Sequence, residues 1–579
     1  MTGYTAPLDD IRFALSTFAG LDDIATLPGF SQATPDLTAA VLEEAAKLAG
    51  EVLAPLNVIG DRQPSTLENG VVRTPPGFAE AYRQYAEGGW NGLPFPEEIG
   101  GQGLPLALST AVLEMWNSAN LSFALCPLLN LGAVELLEAH GSPEQKATYI
   151  PNMVSGAWAG TMNLTEPQAG SDLGAIRTRA VRDGDRYRIT GQKIFITYGE
   201  HDFTPNIIHL VLARLNDAPA GSKGLSLFIV PKYLVNPDGS LGERNDLRCV
   251  SLEHKLGIHA SPTCVMSYGD NGGAVGFLVG QENRGIECMF TMMNSARLNV
   301  GVEGVAIAER AYQQARDYAR DRIQGRPAAG GASILYHPDV RRMLLHMRSL
   351  TEAARALTYF VAGTLDRARR HERAEERQRH QRLADLLIPM VKAWSTDAAV
   401  EVASLGVQVH GGMGFIEETG AAQHYRDARI MPIYEGTNGI QALDLLGRKL
   451  LRDEGAAARE LLAEMRESLA AFQSGNEDIR AMAAQLSPGV TAIEDTVAWL
   501  LEEAKADLPR TQAGATSFLK LFGTVFCGWL LARGASATGD RPRILTARFF
   551  AEQVLPPAIA LGPAIRGGAT VMGFDPDRF

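Results

Sequence analysis

The spacing of apolar positions along the chain changes character twice. Over residues 36–160 they recur three and four apart, as in Leu37-Thr-Ala-Ala-Val-Leu-Glu-Glu-Ala-Ala-Lys-Leu-Ala, Ser109 to Ala119 and Ala133 to His140. That is the period of helices with one face on a core. Gly88-Gly89 and Pro94-Phe95-Pro96 punctuate them as turns. From 161 to 285 the pattern becomes alternating or continuously β-branched: Arg186-Tyr-Arg-Ile-Thr, Lys193-Ile-Phe-Ile-Thr, Ile207-Ile-His-Leu-Val-Leu-Ala and Gly224-Leu-Ser-Leu-Phe-Ile-Val. Such runs bounded by Asp-Gly and Gly-Ser turns predict an antiparallel β domain. The helical period returns over 286–453, including Val302 to Ile323 and His337 to Leu365, and again in a last block over 454–579. The expected fold is mainly α with an inserted β domain: an N-terminal extension (1–35), a helical domain (36–160), a middle β domain (161–285), a helical bundle (286–453) and a helical C-terminal extension (454–579). No repeat of 20 to 50 residues is visible, which disfavours a solenoid.

Composition narrows the function. The 579 residues are 46% hydrophobic and 21% charged, with a net charge of −12. This is a packed chain without the basic field that nucleic acid requires, so no nucleic-acid partner is expected. Cys126, Cys249, Cys264, Cys288 and Cys527 form no C-x-x-C pair, so neither a metal site nor a disulfide framework is expected. The first ten residues contain Asp9 and Asp10 and no apolar core of a signal peptide. With Leu521 to Ala532 broken by Gly523 and Gly528 and shorter than the ~20 residues of a spanning helix, these features give the expectation of a cytoplasmic chain with no membrane span. There is no Gly-Lys dipeptide for a phosphate loop, no G-x-G-x-x-G after a strand, no G-x-S-x-G and no H-E-x-x-H. The Arg-rich stretch Asp366 to Asp385 reads as a solvated, ion-paired helix face, with an anion site as the alternative.

Three strings carry candidate chemistry. In Ile430-Met-Pro-Ile-Tyr-Glu-Gly-Thr-Asn-Gly-Ile-Gln441, Pro432, Gly436 and Gly439 interrupt a helical region and set Glu435 beside Ile433 and Tyr434. A carboxylate so placed is a candidate general base with a raised pKa, or else a helix-start Glu with Thr437 as cap. In Met162-Asn-Leu-Thr-Glu-Pro-Gln-Ala-Gly-Ser-Asp172, Gly170 and Ser171 suit a tight turn that approaches a phosphate or planar ring, or an ordinary loop. In Lys193-Ile-Phe-Ile-Thr-Tyr-Gly199 the alternation puts Phe195 and Thr197 on one face, to frame a flat heterocycle or to enter the core.

Together with Phe95-Pro-Glu-Glu-Ile-Gly-Gly-Gln-Gly-Leu, Tyr318-Ala-Arg-Asp-Arg-Ile-Gln-Gly and Val407-Gln-Val-His-Gly-Gly-Met-Gly-Phe, these strings make residues 36–453 resemble the acyl-CoA dehydrogenase family. The 126 residues beyond 453, with Glu253-His-Lys-Leu-Gly-Ile-His-Ala-Ser-Pro-Thr-Cys264 and Met292-Met-Asn-Ser-Ala-Arg297, are similar to its extended bacterial branch. The resemblance implies a helical domain, a barrel-like β domain and a four-helix bundle, with FAD as cofactor and oxidation of an acyl-CoA thioester across Cα–Cβ. It assigns the base to Glu435. Thr165, Gly170, Ser171, Phe195 and Thr197 are the implied flavin contacts. Arg322, Gln408, Gly411, Gly412 and Thr437 are implied to reach FAD shared with a neighbouring subunit, so a homodimer or homotetramer is expected. Ser171, Asn294 and Arg297 are the implied substrate contacts, Arg297 and Asn294 at the CoA adenosine end or supporting the acyl site. Met162 stands where many members carry an aromatic residue. The implied electron acceptor is an electron-transfer flavoprotein. 3-Methylthiopropanoyl-CoA is one expected substrate; short- to long-chain fatty acyl-CoA dehydrogenation, an acyl-CoA oxidase and a non-catalytic scaffold of the same fold are the alternatives.

Overall fold

The computed structural model describes residues 3–328 and 330–578. The serial segments gather into two compact units. One takes in the chain up to Leu42, Pro105–Glu114 and everything from Arg297; the other holds Glu43–Leu104 and Met115–Ala296.

The second unit places helices on a β-sheet. Its strands are β1 (Trp158–Asn163), β2 (Arg179–Asp183), β3 (Arg186–Thr197), β4 (Asn206–Leu215), β5 (Leu225–Pro231), β6 (Leu247–Leu252), β7 (Thr263–Tyr268) and β8 (Ala274–Val279). They form one sheet in the order β6-β7-β3-β8-β5-β4-β1, and β2 pairs with both β3 and β4. β4 and β5 are buried almost throughout, which explains why they read as continuous apolar runs and not as alternation. Ile189, Ile196, Val211, Phe228, Val230 and Met266 share a core cluster. Within β3, Gly191 has a φ of +154°, and a Cβ there would lie 2.6 Å from Thr178 Oγ1. The helix Leu121–His140 is capped by Asn120, whose side chain accepts from Phe123 N–H at 3.1 Å. A small hairpin, Thr66–Glu68 with Val71–Arg73, interrupts the helices of this part and has no counterpart in the helical spacing of the sequence.

The first unit is a helical bundle with its extension. α1 (Gly285–Asp321) enters it from Arg297 onward, followed by α2 (Pro338–Arg370), α3 (Ala374–His410), the short α4 (Asn438–Asp444) and, in the extension, α5 (Ala515–Ser536). The Pro105–Glu114 segment joins this unit for polar reasons. Asp366 of α2 accepts from Leu106 N–H at 2.8 Å and Ala107 N–H at 2.9 Å, which caps the helix Leu106–Ala119. Two and three turns earlier in α2, Tyr359 donates to Glu114 Oε2 at 2.7 Å, and buried Arg355 bridges Glu114 Oε1 at 2.7 Å and Glu309 Oε2 at 2.8 Å. The Arg-rich stretch around the α2–α3 junction is ion-paired: Arg379 contacts Glu460 at 2.6 Å, and Arg367 donates to Ala19 O at 2.8 Å.

One expectation is corrected. Leu521 to Ala532 is the middle of α5, which has 22 residues, so the length argument against a spanning helix fails. Three helical stretches among the described residues, Leu121–His140, Ala515–Ser536 and Arg541–Arg566, are long and apolar enough to cross a membrane. The first two are mostly buried within the protein, and the third is less than half buried.

Arg355→Met removes the shared cation of two buried carboxylates. It should destabilise the first unit by about 3–5 kcal/mol in urea unfolding, and Arg355→Lys should not restore the loss because an ammonium cannot form the forked contact.

Candidate active site

Glu435 lies on a loop built to hold an unfavourable backbone. Its φ is +56° and that of Gly436 is +81°, two consecutive left-handed residues of which only the second escapes a steric cost. Gln441, fully buried in α4, secures them by donating from Nε2 to Glu435 O at 3.0 Å and Gly436 O at 3.2 Å. The loop closes through Asn438 N–H on Pro432 O at 3.0 Å, and Thr437 caps α4 by accepting from Ile440 N–H at 3.2 Å. The cap reading of Thr437 and the site reading of Glu435 therefore coexist.

The surroundings of Glu435 set its proton affinity. Glu435 is half-buried, and loss of water pushes its pKa up to about 7 against the opposing pull of Arg297 and Lys392. Arg297 is buried and contacts Asp444 Oδ2 at 3.1 Å, while Arg448 reaches the other oxygen of Asp444 at 2.8 Å. Lys392 is fully buried in α3 and donates to Asn438 Oδ1 at 2.8 Å. Glu303 of α1 is also fully buried, accepts a short hydrogen bond from Tyr434 and is pushed up to about 8 by burial. Glu435 thus sits where a carboxyl can be ionised or protonated near neutral pH.

A second set of candidates lies in the other unit. Thr165 is half-buried on the turn after β1, and its carbonyl accepts from Ile194 N–H of β3 at 2.9 Å. Two residues of β3, Ile194 and Phe195, lie against one of β7 in a bulge, where Phe195 takes φ +59° and is 58% exposed. Thr197, half-buried, follows two residues on, and its carbonyl accepts from Thr161 Oγ1 at 2.7 Å. Beneath them Glu166 accepts from Lys193 Nζ at 2.8 Å, from Arg177 N–H at 2.7 Å and from the Thr178 N–H and hydroxyl at 3.0 and 2.5 Å. Lys193 also donates to Leu164 O at 2.9 Å. Although burial opposes it, the Lys193 charge with these donors holds the Glu166 carboxyl at about 2. Gly170 and Ser171 are exposed, a Cβ at Gly170 would meet nothing within 4 Å, and Asp172 accepts from Gly174 N–H at 2.9 Å.

The remaining candidates divide by place. Arg322 at the end of α1 and Gln408, Gly411 and Gly412 at the end of α3 are exposed, and the two helix ends meet where Tyr318 stacks on His410 at 4.4 Å between ring centroids. Open space surrounds a Cβ at Gly411 or Gly412. Asn294 is half-buried on α1. Of the two roles implied for Arg297, burial against Asp444 fits support of the acyl site. Sequence reading passed over Lys392, Glu303, Gln441 and the Glu166–Lys193 pair. Lys392 had a visible signal, a single charge inside Leu386-Leu-Ile-Pro-Met-Val-Lys-Ala-Trp394.

These residues fit a flavin. Phe195 offers an exposed ring on a rigid bulge, and among the described residues no protein group engages the hydroxyl of Thr165 or Thr197. The glycines at 170, 411 and 412 leave backbone open to a bulky anionic cofactor.

Residues 39–157, 161–271 and 283–451 match the N-terminal, middle and C-terminal domains of acyl-CoA dehydrogenases, and residues 461–575 match the acetyl-CoA dehydrogenase C-terminal-like domain. The chain belongs to the acyl-CoA dehydrogenase family, whose members are FAD-dependent. It is 51% identical over 568 residues to the 3-methylmercaptopropionyl-CoA dehydrogenase of Ruegeria pomeroyi, covering 95% of this chain and 96% of that one. It is 34% identical to a broad-specificity linear acyl-CoA dehydrogenase of Mycobacterium tuberculosis, covering 96% of each. Among solved structures, an acyl-CoA dehydrogenase from Bacillus anthracis complexed with FAD superposes with a TM-score of 0.75 at 21% identity, covering 96% of this chain and 91% of that one, and so shares its fold.

Because the pKa of Glu166 is depressed in the folded protein, the stability it contributes is present above about pH 4.3 and is lost as pH falls through its folded value. Lys193→Met should remove this acid-dependent part, on the order of 3 kcal/mol, and release FAD more readily. Urea unfolding at neutral and acid pH, with flavin retention on gel filtration, measures both.

Proposed function

We propose that this chain oxidises 3-methylthiopropanoyl-CoA, the ester also called 3-methylmercaptopropionyl-CoA, to its trans-2-enoyl-CoA. The observation that carries the reading of the chemistry is Glu435: a half-buried carboxyl, fixed on a left-handed backbone, with a pKa near neutrality. The 51% identity over nearly the full length of both chains supports the choice of acyl group.

An α-proton of a thioester is too weakly acidic for an ordinary carboxylate in water. Partial desolvation makes Glu435 a stronger base, and the ordered loop holds it at one place. Its backbone N–H supplies a donor for the thioester oxygen, where negative charge develops as the Cα–H bond breaks. The Cα proton goes to the Glu435 carboxylate; bound FAD supplies the acceptor for the Cβ hydrogen, which leaves with its electron pair. The electron pair of the broken Cα–H bond becomes the new Cα=Cβ bond. Thr165, Phe195 and Thr197 hold and orient the flavin; Gly170 and Ser171 border it and the pantetheine arm.

The electron acceptor in this reading is an electron-transfer flavoprotein. Arg322, Gln408, Gly411 and Gly412 reach the FAD of a second subunit. Support for that assembly comes from the exposed apolar side chains beside them, Met413 at 47%, Phe415 at 86% and Ile416 at 45%. A cytoplasmic location accompanies this reading.

The decisive experiment is anaerobic flavin bleaching with 3-methylthiopropanoyl-CoA, butanoyl-CoA and palmitoyl-CoA, scored as kcat/KM. The methylthio ester should rank first; a clear preference for another ester overturns the substrate. Glu435→Gln should retain FAD and bind ester but lose bleaching by about 100-fold or more. Rapid stoichiometric peroxide after an oxygen pulse would instead indicate an oxidase. Light scattering should give at least twice the chain mass, and Phe415→Asp should reduce it to one chain.

A further inference from the structure

The carboxylate of Glu435 has no tether of its own. Among the described residues its side chain makes no hydrogen bond and no ion pair, so its aim is inherited from the backbone on either side. After it, Gln441 fixes the carbonyls of Glu435 and Gly436. Before it, Tyr434 ends a turn in which its N–H donates to Ile430 O at 3.1 Å, and its hydroxyl donates to Glu303 Oε2 in a short hydrogen bond. Glu303 belongs to α1 and lies 131 positions earlier in the chain. It is fully buried, and among the described residues the Tyr434 hydroxyl is its one hydrogen-bond partner, while Oε1 has none. Burial drives this carboxyl toward its neutral form, so what it offers Tyr434 is an acceptor oxygen and not a charge. A buried polar group with half of its hydrogen-bonding capacity unmet is costly, and an apolar side chain of the same size in its place is often neutral or stabilising. Packing of the bundle therefore does not account for a carboxyl at position 303; its contact with the residue next to the base does.

We propose that Glu303 is a positioning residue for the base: through the Tyr434 hydroxyl it fixes the residue before Glu435, so that the carboxylate and the backbone N–H of Glu435 meet Cα and the thioester oxygen together. This deepens the assignment of Glu435 as base and rests on it. Proton abstraction needs two groups of one residue in register with two atoms of the ester, and a loose joint at Tyr434 lets them drift apart. Gln441 cannot prevent this alone. It holds carbonyls that follow Cα of Glu435, whereas the N–H of Glu435 lies in the rigid peptide plane shared with Tyr434. With Glu303 on one side and Gln441 on the other, both peptide planes that flank Cα of Glu435 are fixed, and the left-handed φ of +56° has one setting.

The test is the rate of anaerobic flavin reduction in the holoenzyme, at saturating concentration of whichever ester in the panel above gives the highest kcat/KM. E303M removes the acceptor and keeps the volume; it should lower the rate about 10- to 100-fold, with the half-saturating ester concentration within about twofold, FAD retained and the urea midpoint unchanged or raised. E303Q, which restores an acceptor oxygen without a charge, should recover most of the rate. Y434F should lose as much as E303M, and E303M/Y434F no more than either alone, since both break one contact. Y434F and E303Q carry the test if E303M does not fold. An unchanged rate in E303M or Y434F, a loss that E303Q shares, or losses that multiply in the double variant overturn the proposal. So does a fall in stability or FAD content that accounts for the whole loss, the mark of a purely structural role. If E435Q still bleaches the flavin, the base assignment itself fails; if E435Q is inert and E303M and Y434F reduce at the unaltered rate, only the role of Glu303 fails.

Discussion

Removing charge from water is the interaction on which this structure turns. A carboxylate in bulk water is too weak a base for an α-carbon proton, and one buried without compensation simply takes up a proton and ceases to be a base. Glu435 occupies the narrow ground between the two because the charges of Arg297 and Lys392 offset part of its lost hydration. Arg297 and Lys392 supply opposing charge, Gln441 holds the loop carbonyls, and Tyr434 is tied down by Glu303. The helices of the bundle are arranged so that α1 contributes Arg297 and Glu303, α3 contributes Lys392 and α4 contributes Gln441.

The same solution recurs away from the base. In the sheet unit Glu166 and Lys193 form a buried pair at 2.8 Å whose remaining hydrogen-bonding capacity is met by Leu164 O and the backbone at Arg177 and Thr178. That pair fastens the turn bearing Thr165 to the strand bearing Phe195 and Thr197, so the exposed bulge is anchored by a charge that water does not reach. In the bundle Arg355 performs the corresponding task for Glu114 and Glu309. Each pair costs desolvation and returns orientation, which is the better-founded use of a buried ion pair than net stability.

Why some of this was legible in the sequence and some was not follows from the range of the interactions. The helix–strand–helix order is a local property, carried by periods of 3.6 and 2 within single elements. The loop that bears Glu435 was legible for a related reason: Pro432, Gly436 and Gly439 interrupt a helical region and its neighbours in the chain are apolar, but that local pattern left the base and helix-start readings both open, and the family resemblance alone assigned the base. Phe195 shows where local reasoning stops. Alternation places it with Thr197, but the bulge that exposes it arises from pairing with β7, some seventy positions away in the sequence. Glu303, Lys392 and Asp444 belong to different helices and are brought to Glu435 only by packing, so no spacing rule could join them. The length of α5 was misjudged because Gly523 and Gly528 were read as breaks. Gly523 instead makes a close approach, with a Cβ there meeting Trp394 Cδ1 at 2.9 Å.

That contact gives the C-terminal extension a place in the argument. Trp394 follows Lys392 by two residues on α3, and its indole N–H donates to Thr524 Oγ1 of α5 at 3.0 Å. The extension therefore packs on the helix that carries the buried cation, and Gly523 lets α5 come close enough for it. Between them lies a cavity of about 550 Å³, bordered by Trp394, Asp397, Asn438 and Lys520 among others. Asp397 and Asn438 are the groups that fix Lys392 from behind, so the extension forms one wall of the space against which the Lys392–Asn438 contact is held. A bundle without α5 would expose Trp394 and admit water to that side of α3. The dielectric around Lys392 would rise, and its buried charge would cost less to hold there. The residues beyond 453 thus close the bundle on the side of α3 that carries Lys392, through Thr524 and the close approach at Gly523.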